Sequence, residues 1–278
     1  MRPPIYLRIL GLVTGCLLGL VGAGLAAGQQ AGEQQTPPNP LPSASPSQAT
    51  AAEPAKRELT LEERADIFMA RKSYADAVDY YHRALAAKGG ADPALWNKLG
   101  IAHQQQTNYR EARQAYKEAM RRNKTFAEPW NNLGTTYYLE DKPKKSLKYY
   151  RQAIKLNASN ASFHLNLGSS YYRLSKIDLF DTECRTALTL DPNVLTDRST
   201  LGTVMQARGF TDVRFYFRLA KIFASLGRAE EAVRHLRRAF EDGFADLKLL
   251  DEDPDFKKIG QFPAYVELRK NPPKPIKD

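Results

Sequence analysis

The sequence predicts an all-α solenoid, a stack of similar antiparallel helix pairs, and two observations indicate it. First, the dipeptide Leu-Gly recurs every 34 residues, beginning at Leu99, Leu133, Leu167 and Leu201. Second, aromatic residues keep the same interval, since Trp96 is followed by Trp130 and Tyr116 by Tyr150. A fixed period of roughly 20 to 50 residues is typical of repeat proteins, in which neighbouring units bury one another's apolar faces.

Each unit is predicted to be a pair of helices. In residues 93–126, apolar residues recur with helical spacing before and after the polar turn Gln106-Thr107-Asn108, which predicts two helices with one apolar face each. Glycine inside a helix costs about 1 kcal/mol relative to alanine, so repeated glycines need a compensating contact. We therefore expect the two helices to cross closely at Gly100 and Ala112.

These spacings resemble those of the tetratricopeptide repeat, a family of helix-pair repeats. The unit that begins at residue 127 supplies the family's pattern residues Trp130, Leu133, Gly134, Tyr137, Ser146, Tyr150 and Ala153. The resemblance covers about residues 58–246. It implies a right-handed superhelical solenoid of about five units plus a C-terminal cap.

Residues 1–28 have the composition of an export segment. Arg2 and Arg8 precede residues 9–27, which contain no charge and end in small side chains. This pattern is typical of a secretory signal peptide. The run is also close to the roughly 20 residues that span a bilayer, so an uncleaved membrane anchor is the alternative, and Cys16 leaves a lipoprotein as a third. In each case we expect the rest of the chain to be periplasmic or anchored to the inner membrane facing the periplasm.

The other predicted boundaries follow from shifts in composition and phase. Residues 29–57 contain six prolines and one large apolar residue, which predicts a disordered tether. Leu201-Gly202 keeps the 34-residue interval of the Leu-Gly pairs, but the rest of that repeat is interrupted at Gly209. The predicted order is four repeat units at 58–194, an irregular half-repeat or connector at 195–212, a fifth unit at 213–246, and a cap and tail at 247–278.

The fourth unit departs from the family pattern. Phe180 stands where a small residue is expected, which predicts a splayed helix pair. Cys184 is at a core position and Cys16 is the only other cysteine, so we expect a buried thiol and no disulfide framework.

No arrangement of residues predicts a reaction centre. The sequence has no nucleophile elbow, phosphate-binding loop or HExxH motif, and its four histidines are never at metal-ligand spacing. His103 and His164 are predicted to be packed, and the acidic residues 251–255 to cap a helix. We therefore expect a non-catalytic protein without cofactor or metal, and no nucleic-acid or small-molecule partner.

The family resemblance implies a concave groove formed by the first helix of each unit. A groove of this kind suits a peptide or a partner's helix. Asn132 and Asn166 each precede a Leu-Gly pair and resemble the asparagine ladder with which some family members hold extended peptides. The partner-binding candidates are Asn97, Lys98, Gln105, Asn131, Asn132, Thr135, Tyr138, Asn166, Ser169, Tyr172 and Arg173.

The positive charge of the chain is concentrated on the second helices. The net charge is +10, and residues 93–160 hold 13 Lys and Arg against 5 Asp and Glu. One interpretation is a solvated surface, and the other is attraction to an anionic membrane surface or an acidic partner. The sequence thus favours a scaffold that binds a peptide or protein in its groove. The alternatives are an envelope assembly factor that binds a membrane surface through its basic convex face, and an accessory subunit of an envelope enzyme.

Overall fold

The computed structural model describes residues 57–195 and 213–276. The expected export segment, nearly all of the tether and the core of the connector at 195–212 lie outside these residues. Within the described residues the chain is helical and has no strand. Its helices α1 to α13 are Leu61–Ala70, Tyr74–Ala87, Pro93–Gln105, Tyr109–Arg122, Ala127–Leu139, Pro143–Leu156, Ala161–Arg173, Ile177–Leu190, Val213–Ser225, Ala229–Glu241, Leu247–Glu252, Pro254–Lys257 and Pro263–Lys270.

Among the described helices, α1 to α10 form five pairs. Helices α1–α2, α3–α4, α5–α6 and α7–α8 are the four predicted N-terminal units, and α9–α10 is the fifth. Each pair packs internally, and each of the first four also packs against the next described helix. The predicted all-α solenoid of about five helix pairs is confirmed.

The same turn joins the two helices of every pair. In the pair α3–α4, Thr107 has a φ of +62°. The N–H of Asn108 donates to the carbonyl of His103 at 2.9 Å, which satisfies a carbonyl at the helix end. The corresponding left-handed residues in the other four turns are Lys72, Asp141, Ser175 and Gly227. The fifth pair is therefore built like the first four, although the sequence period is broken before it.

The glycine of the first helix in a pair contacts an aromatic ring of the second. A Cβ atom on Gly100 would lie 2.5 Å from Tyr116 Cε1, far closer than side-chain packing permits. The predicted close approach is confirmed, but the neighbour that requires it is the ring of Tyr116. Ala112, one turn earlier on α4, is fully buried beside this contact.

The fourth pair does not need the splaying that the sequence predicted. Phe180 and Cys184 are both fully buried on α8. A Cβ on Gly168 would lie 3.6 Å from Phe180 Cδ2 and 3.5 Å from Cys184 Sγ, so both side chains face this glycine. Phe180 fills space that a tyrosine ring occupies in the preceding pairs, and the small Cys184 leaves room for it.

Helices α8 and α9 are parallel, whereas the corresponding neighbouring helices of the preceding units are antiparallel. Helices α6 and α7 are antiparallel, with the Ser146 and Ser170 hydroxyls 2.6 Å apart. On α8 and α9, Asp181 accepts from Arg218 at 3.4 Å, while Arg185, further along α8, donates to Ser225, further along α9, at 3.1 Å. These two contacts run in the same direction, so α8 and α9 are parallel. Among the described helices, α8 and α9 are therefore a parallel neighbouring pair, unlike α6 and α7.

The short helices α11 to α13 cover the last pair. Asp253 caps α12 by accepting from the N–H of Asp255 at 2.9 Å, which confirms the predicted capping role. Asp253 also accepts from Lys221 Nζ of α9 at 2.5 Å. Phe256 and Tyr265 are buried in the same apolar cluster as α9 and α10. None of the described helices is long and apolar enough to cross a membrane.

Candidate functional site

The first helices α3, α5 and α7 lie side by side, and four asparagines join them. Asn132 Nδ2 donates to Asn97 Oδ1 at 3.0 Å, and Asn166 Nδ2 donates to Asn131 Oδ1 at 2.9 Å. Within α5, Asn131 Nδ2 donates to Asn132 Oδ1 at 3.2 Å. We call these four residues the asparagine chain. It links three consecutive repeats by amide hydrogen bonds.

The asparagine chain stabilises the stacking of the repeats. Asn97, Asn131 and Asn166 are buried, and Asn132 is half-buried. A buried amide that loses its partner costs about 1–3 kcal/mol, so these side chains have a structural role whether or not a partner is bound. Asn166 Oδ1 is buried and accepts no hydrogen bond from the part of the chain that the structure describes. The predicted contact of these amides with a peptide stays a prediction.

Three other candidates are enclosed by the helix packing. Ser169 is 1% exposed and donates to the carbonyl of Leu165 at 2.9 Å. Thr135 accepts from the hydroxyl of Tyr150 at 3.2 Å. Tyr138 is 2% exposed. Direct contact of these three side chains with a partner would require the helices to separate.

The candidates that reach the surface are Lys98, Gln105, Tyr172 and Arg173. Gln105 and Arg173 are exposed, and each is the last residue of its helix. Arg173 forms an ion pair with Asp141. We call α3, α5 and α7 with these residues the first-helix face.

Lys98 is held in a small charge cluster at the N-terminal end of the first-helix face. Its ammonium group lies 2.7 Å from Asp66 and 3.0 Å from Glu62. Burial lowers the pKa of Lys98, but the two carboxylates on α1 more than offset it, and the net shift is upward. Lys98 therefore joins the first two units and is only partly available to a partner.

The basic second helices present two kinds of cation. Arg113 is paired with Glu140 at 2.6 Å, and Arg121 and Arg122 are paired with Glu118. Lys145 and Lys148 are exposed and lie over the rings of Tyr137 and Tyr149, which stack with centroids 5.2 Å apart. The surface predicted from the sequence is present, although carboxylates neutralise part of its charge.

His103, His164 and Cys184 are in packed positions. His164 is 8% exposed, with Nδ1 2.7 Å from a Glu183 oxygen and Nε2 3.1 Å from the carbonyl of Ala158. His103 is half-buried against His82, and burial lowers its pKa. Burial also disfavours the charged form of Cys184 and therefore raises the pKa of its thiol, as expected of an unreactive core cysteine. In residues 57–195 and 213–276 no three His, Cys, Asp or Glu side chains could together hold a metal ion.

A cleft that the sequence analysis missed opens beside the end of the first-helix face. It has a volume of about 840 Å³ and is lined by α7, the start of α9 and the segment 243–249. Its wall includes Tyr172, which is also a candidate of the first-helix face. Because its walls come from segments far apart in the sequence, no local pattern could have predicted it.

The fold and the face define a helical repeat protein of the kind that presents an extended surface. Models of the tetratricopeptide repeat match residues 93–126, 127–160 and 213–241. The matched segments are the pairs α3–α4, α5–α6 and α9–α10. The chain is a tetratricopeptide repeat protein.

Solved structures with a similar course of helices have low sequence identity to this chain. TTC0263 from Thermus thermophilus is 20% identical, with 68% of this chain and 93% of that chain covered and a TM-score of 0.46. A MamA fragment from Desulfovibrio magneticus is 14% identical, with coverages of 65% and 92% and a TM-score of 0.46. YrrB is 15% identical, with coverages of 76% and 90% and a TM-score of 0.42. No curated protein sequence matches this chain.

Proposed function

We propose that this protein is a non-catalytic scaffold that holds a peptide or an extended segment of a partner protein on its first-helix face. The observation that supports this proposal is the continuity of the face, because the asparagine chain aligns α3, α5 and α7 across three repeats. Stacked helix pairs offer an extended surface. The half-buried amide of Asn132 and the exposed amide of Gln105 suit a peptide backbone because an amide both donates and accepts.

We further propose that the scaffold acts on the periplasmic side of the inner membrane. The support for this is the composition of residues 1–57, a basic start, an uncharged apolar run and a proline-rich tether. Sequencing the N-terminus of the mature protein from its native cells tests it. A terminus near residue 28, or an intact Met1 in the membrane fraction, agrees with export, whereas an intact chain in the cytosol contradicts it.

The binding proposal is tested with a phage-displayed library of random dodecapeptides selected on the full chain. We expect selected peptides to lose about tenfold in affinity when Gln105→Ala and Arg173→Ala are combined, a loss of about 1.4 kcal/mol. Both residues lie at the surface, and the Arg173 ion pair is exposed, so folding should change little.

The matched control removes two exposed second-helix cations, Lys117→Ala with Lys155→Ala. We expect this control to bind like the unaltered chain. Binding that is lost in the lysine control and weakens at high ionic strength would instead indicate the basic second-helix surface, since exposed charge interactions are screened by salt.

A further inference from the structure

The cleft beside α9 has an aromatic and aliphatic wall. The rings of Phe217 and Phe244 stack with centroids 4.6 Å apart, and both line the cleft. Tyr172 lines it from α7, and Leu249, which is 39% exposed, lines it from α11. A leucine exposed to this degree beside aromatic rings offers apolar surface that an incoming side chain can cover.

Two arginines, Arg214 and Arg218, also line the cleft. Arg218 lies 3.4 Å from the buried carboxylate of Asp181, a long contact through one of its five N–H donors. The acidic lining residue is Asp246, whose carboxylate accepts from the N–H of Leu249 and caps α11. Asp181 and Asp246 offset the charge of the arginines, so the cleft has no established excess of positive charge. What Arg218 offers a partner is a side chain that is 34% exposed and has N–H donors beyond the one that Asp181 accepts from.

We propose that this cleft binds a partner segment in which a large apolar side chain adjoins an acidic residue. The apolar side chain would pack against Phe217, Phe244 and Leu249, while Arg218 would pair with the carboxylate. An arginine fork binds a carboxylate with defined geometry, so this pair would fix the direction of the segment. A cleft of about 840 Å³ is large enough for one such side chain and its backbone.

This inference rests on the proposed scaffold function, because Tyr172 belongs to both the first-helix face and the cleft. A peptide that follows α3, α5 and α7 would reach the cleft at the end of α7. The cleft would then supply the sequence preference, whereas the amide-lined face would accept many sequences.

The experiment uses the dodecapeptides selected on the full chain, first read as sequences and then titrated by fluorescence polarisation. The variants are Arg218→Gln and Leu249→Glu, which remove the cation and introduce a repelling charge at the rim. The matched controls are Arg237→Gln and Leu226→Glu, at an exposed arginine and a 38% exposed leucine outside the cleft lining. Thermal melting is recorded for each protein.

We expect selected peptides to share an acidic residue next to Leu, Phe or Trp. They should lose at least tenfold in affinity with each cleft variant, and less than twofold with each control. Selected peptides could instead lack this pair, bind the cleft variants normally and fail to bind the variant that combines Gln105→Ala with Arg173→Ala. That result would overturn the cleft proposal and leave the scaffold function intact. Failure to select any peptide would count against both. A large fall in melting temperature for Leu249→Glu, with peptide affinity kept, would show that the chain itself fills the cleft and would also overturn the proposal.

Discussion

Gly134 of α5 packs against the ring of Tyr150 of α6, and a Cβ atom on this glycine would lie 2.8 Å from Tyr150 Cδ1. Tyr150 is fully buried and its hydroxyl donates to Thr135, so the ring has no free space into which to move. The absence of a side chain at Gly134 therefore sets how closely the two helices of the third unit approach.

We predict that Gly134→Ala lowers the free energy of unfolding by up to about 2 kcal/mol. Overpacking a buried site costs about 1–3 kcal/mol, and the better helix propensity of alanine returns about 1 kcal/mol. Urea unfolding followed by circular dichroism measures the change. The matched control is Gly168→Ala, where the nearest atom to a new Cβ is 3.4 Å away, and we expect it to be neutral or stabilising. Equal losses for the two variants would contradict the packing argument.

The second prediction concerns the exchange of bulk between Phe180 and Cys184. Phe180→Ala alone should cost about 3–5 kcal/mol because it leaves a cavity, and Cys184→Tyr alone about 1–3 kcal/mol because it overpacks the site. The double variant recreates the small-residue and tyrosine arrangement of the third unit, so we expect a favourable coupling of about 1–3 kcal/mol. A double-mutant cycle in urea measures this coupling, and strictly additive losses would contradict it.

This pair illustrates how far the sequence determines the packing. The family pattern identified Phe180 as too large for its position, but the compensating position lies one helical turn later. The small residue at Cys184 has this effect only because both side chains face Gly168. Single positions of a repeat are therefore predictable, whereas a correlated exchange between two of them requires the packed structure.

The third prediction concerns the left-handed turn residue Thr107, whose φ is +62°. This region costs a residue with a side chain about 1–2 kcal/mol, and a β-branched residue is especially disfavoured there. We expect Thr107→Gly to stabilise the chain by about 1 kcal/mol in thermal or urea unfolding.

The reverse change, Gly227→Thr, places the same residue type in the corresponding turn of α9–α10. No atom lies within 4 Å of a new Cβ there, so a loss of stability would come from the backbone alone. We expect a loss of similar size. No change in either variant would show that the shared turn is not under conformational strain.

The fourth prediction concerns the pH dependence contributed by His235. The ring is stacked on Phe223 with centroids 5.1 Å apart, and burial lowers its pKa from 6.5 to about 4, with Arg234 lowering it further and Glu231 opposing. Between these two values the unfolded chain binds the proton and the folded chain does not. The stability that the neutral His235 ring contributes is therefore fully present above pH 6.5. As the pH falls toward 4, this titration lowers the free energy of unfolding by about 3 kcal/mol.

The matched variant for this prediction is His235→Phe, which keeps a ring against Phe223 and removes the titrating group. The difference in unfolding free energy between the two proteins, measured from pH 7.5 to 4, isolates His235 because all other groups titrate in both. We expect the difference to shift in favour of the variant as the pH falls. A difference that is constant over this range would contradict the prediction.

The candidate site was only partly accessible to sequence reasoning. The positions of Asn132 and Asn166 on the first helices followed from the repeat phase, but their amide hydrogen bonds to Asn97 and Asn131 depend on how adjacent units are stacked. The same stacking encloses Ser169 and Thr135, which the phase alone placed on the binding face. The parallel packing of α8 and α9 follows a break in the repeat, where periodicity gives no information about helix direction.

The most direct test of the scaffold proposal is hydroxyl-radical footprinting of the full chain with and without a selected dodecapeptide. Tyr172 and Tyr149 are both half-buried, and they report on the first-helix face and on the basic second-helix surface respectively. We expect the peptide to protect Tyr172 and to leave the modification rate of Tyr149 unchanged. Protection of Tyr149 with no change at Tyr172 would contradict binding on the first-helix face.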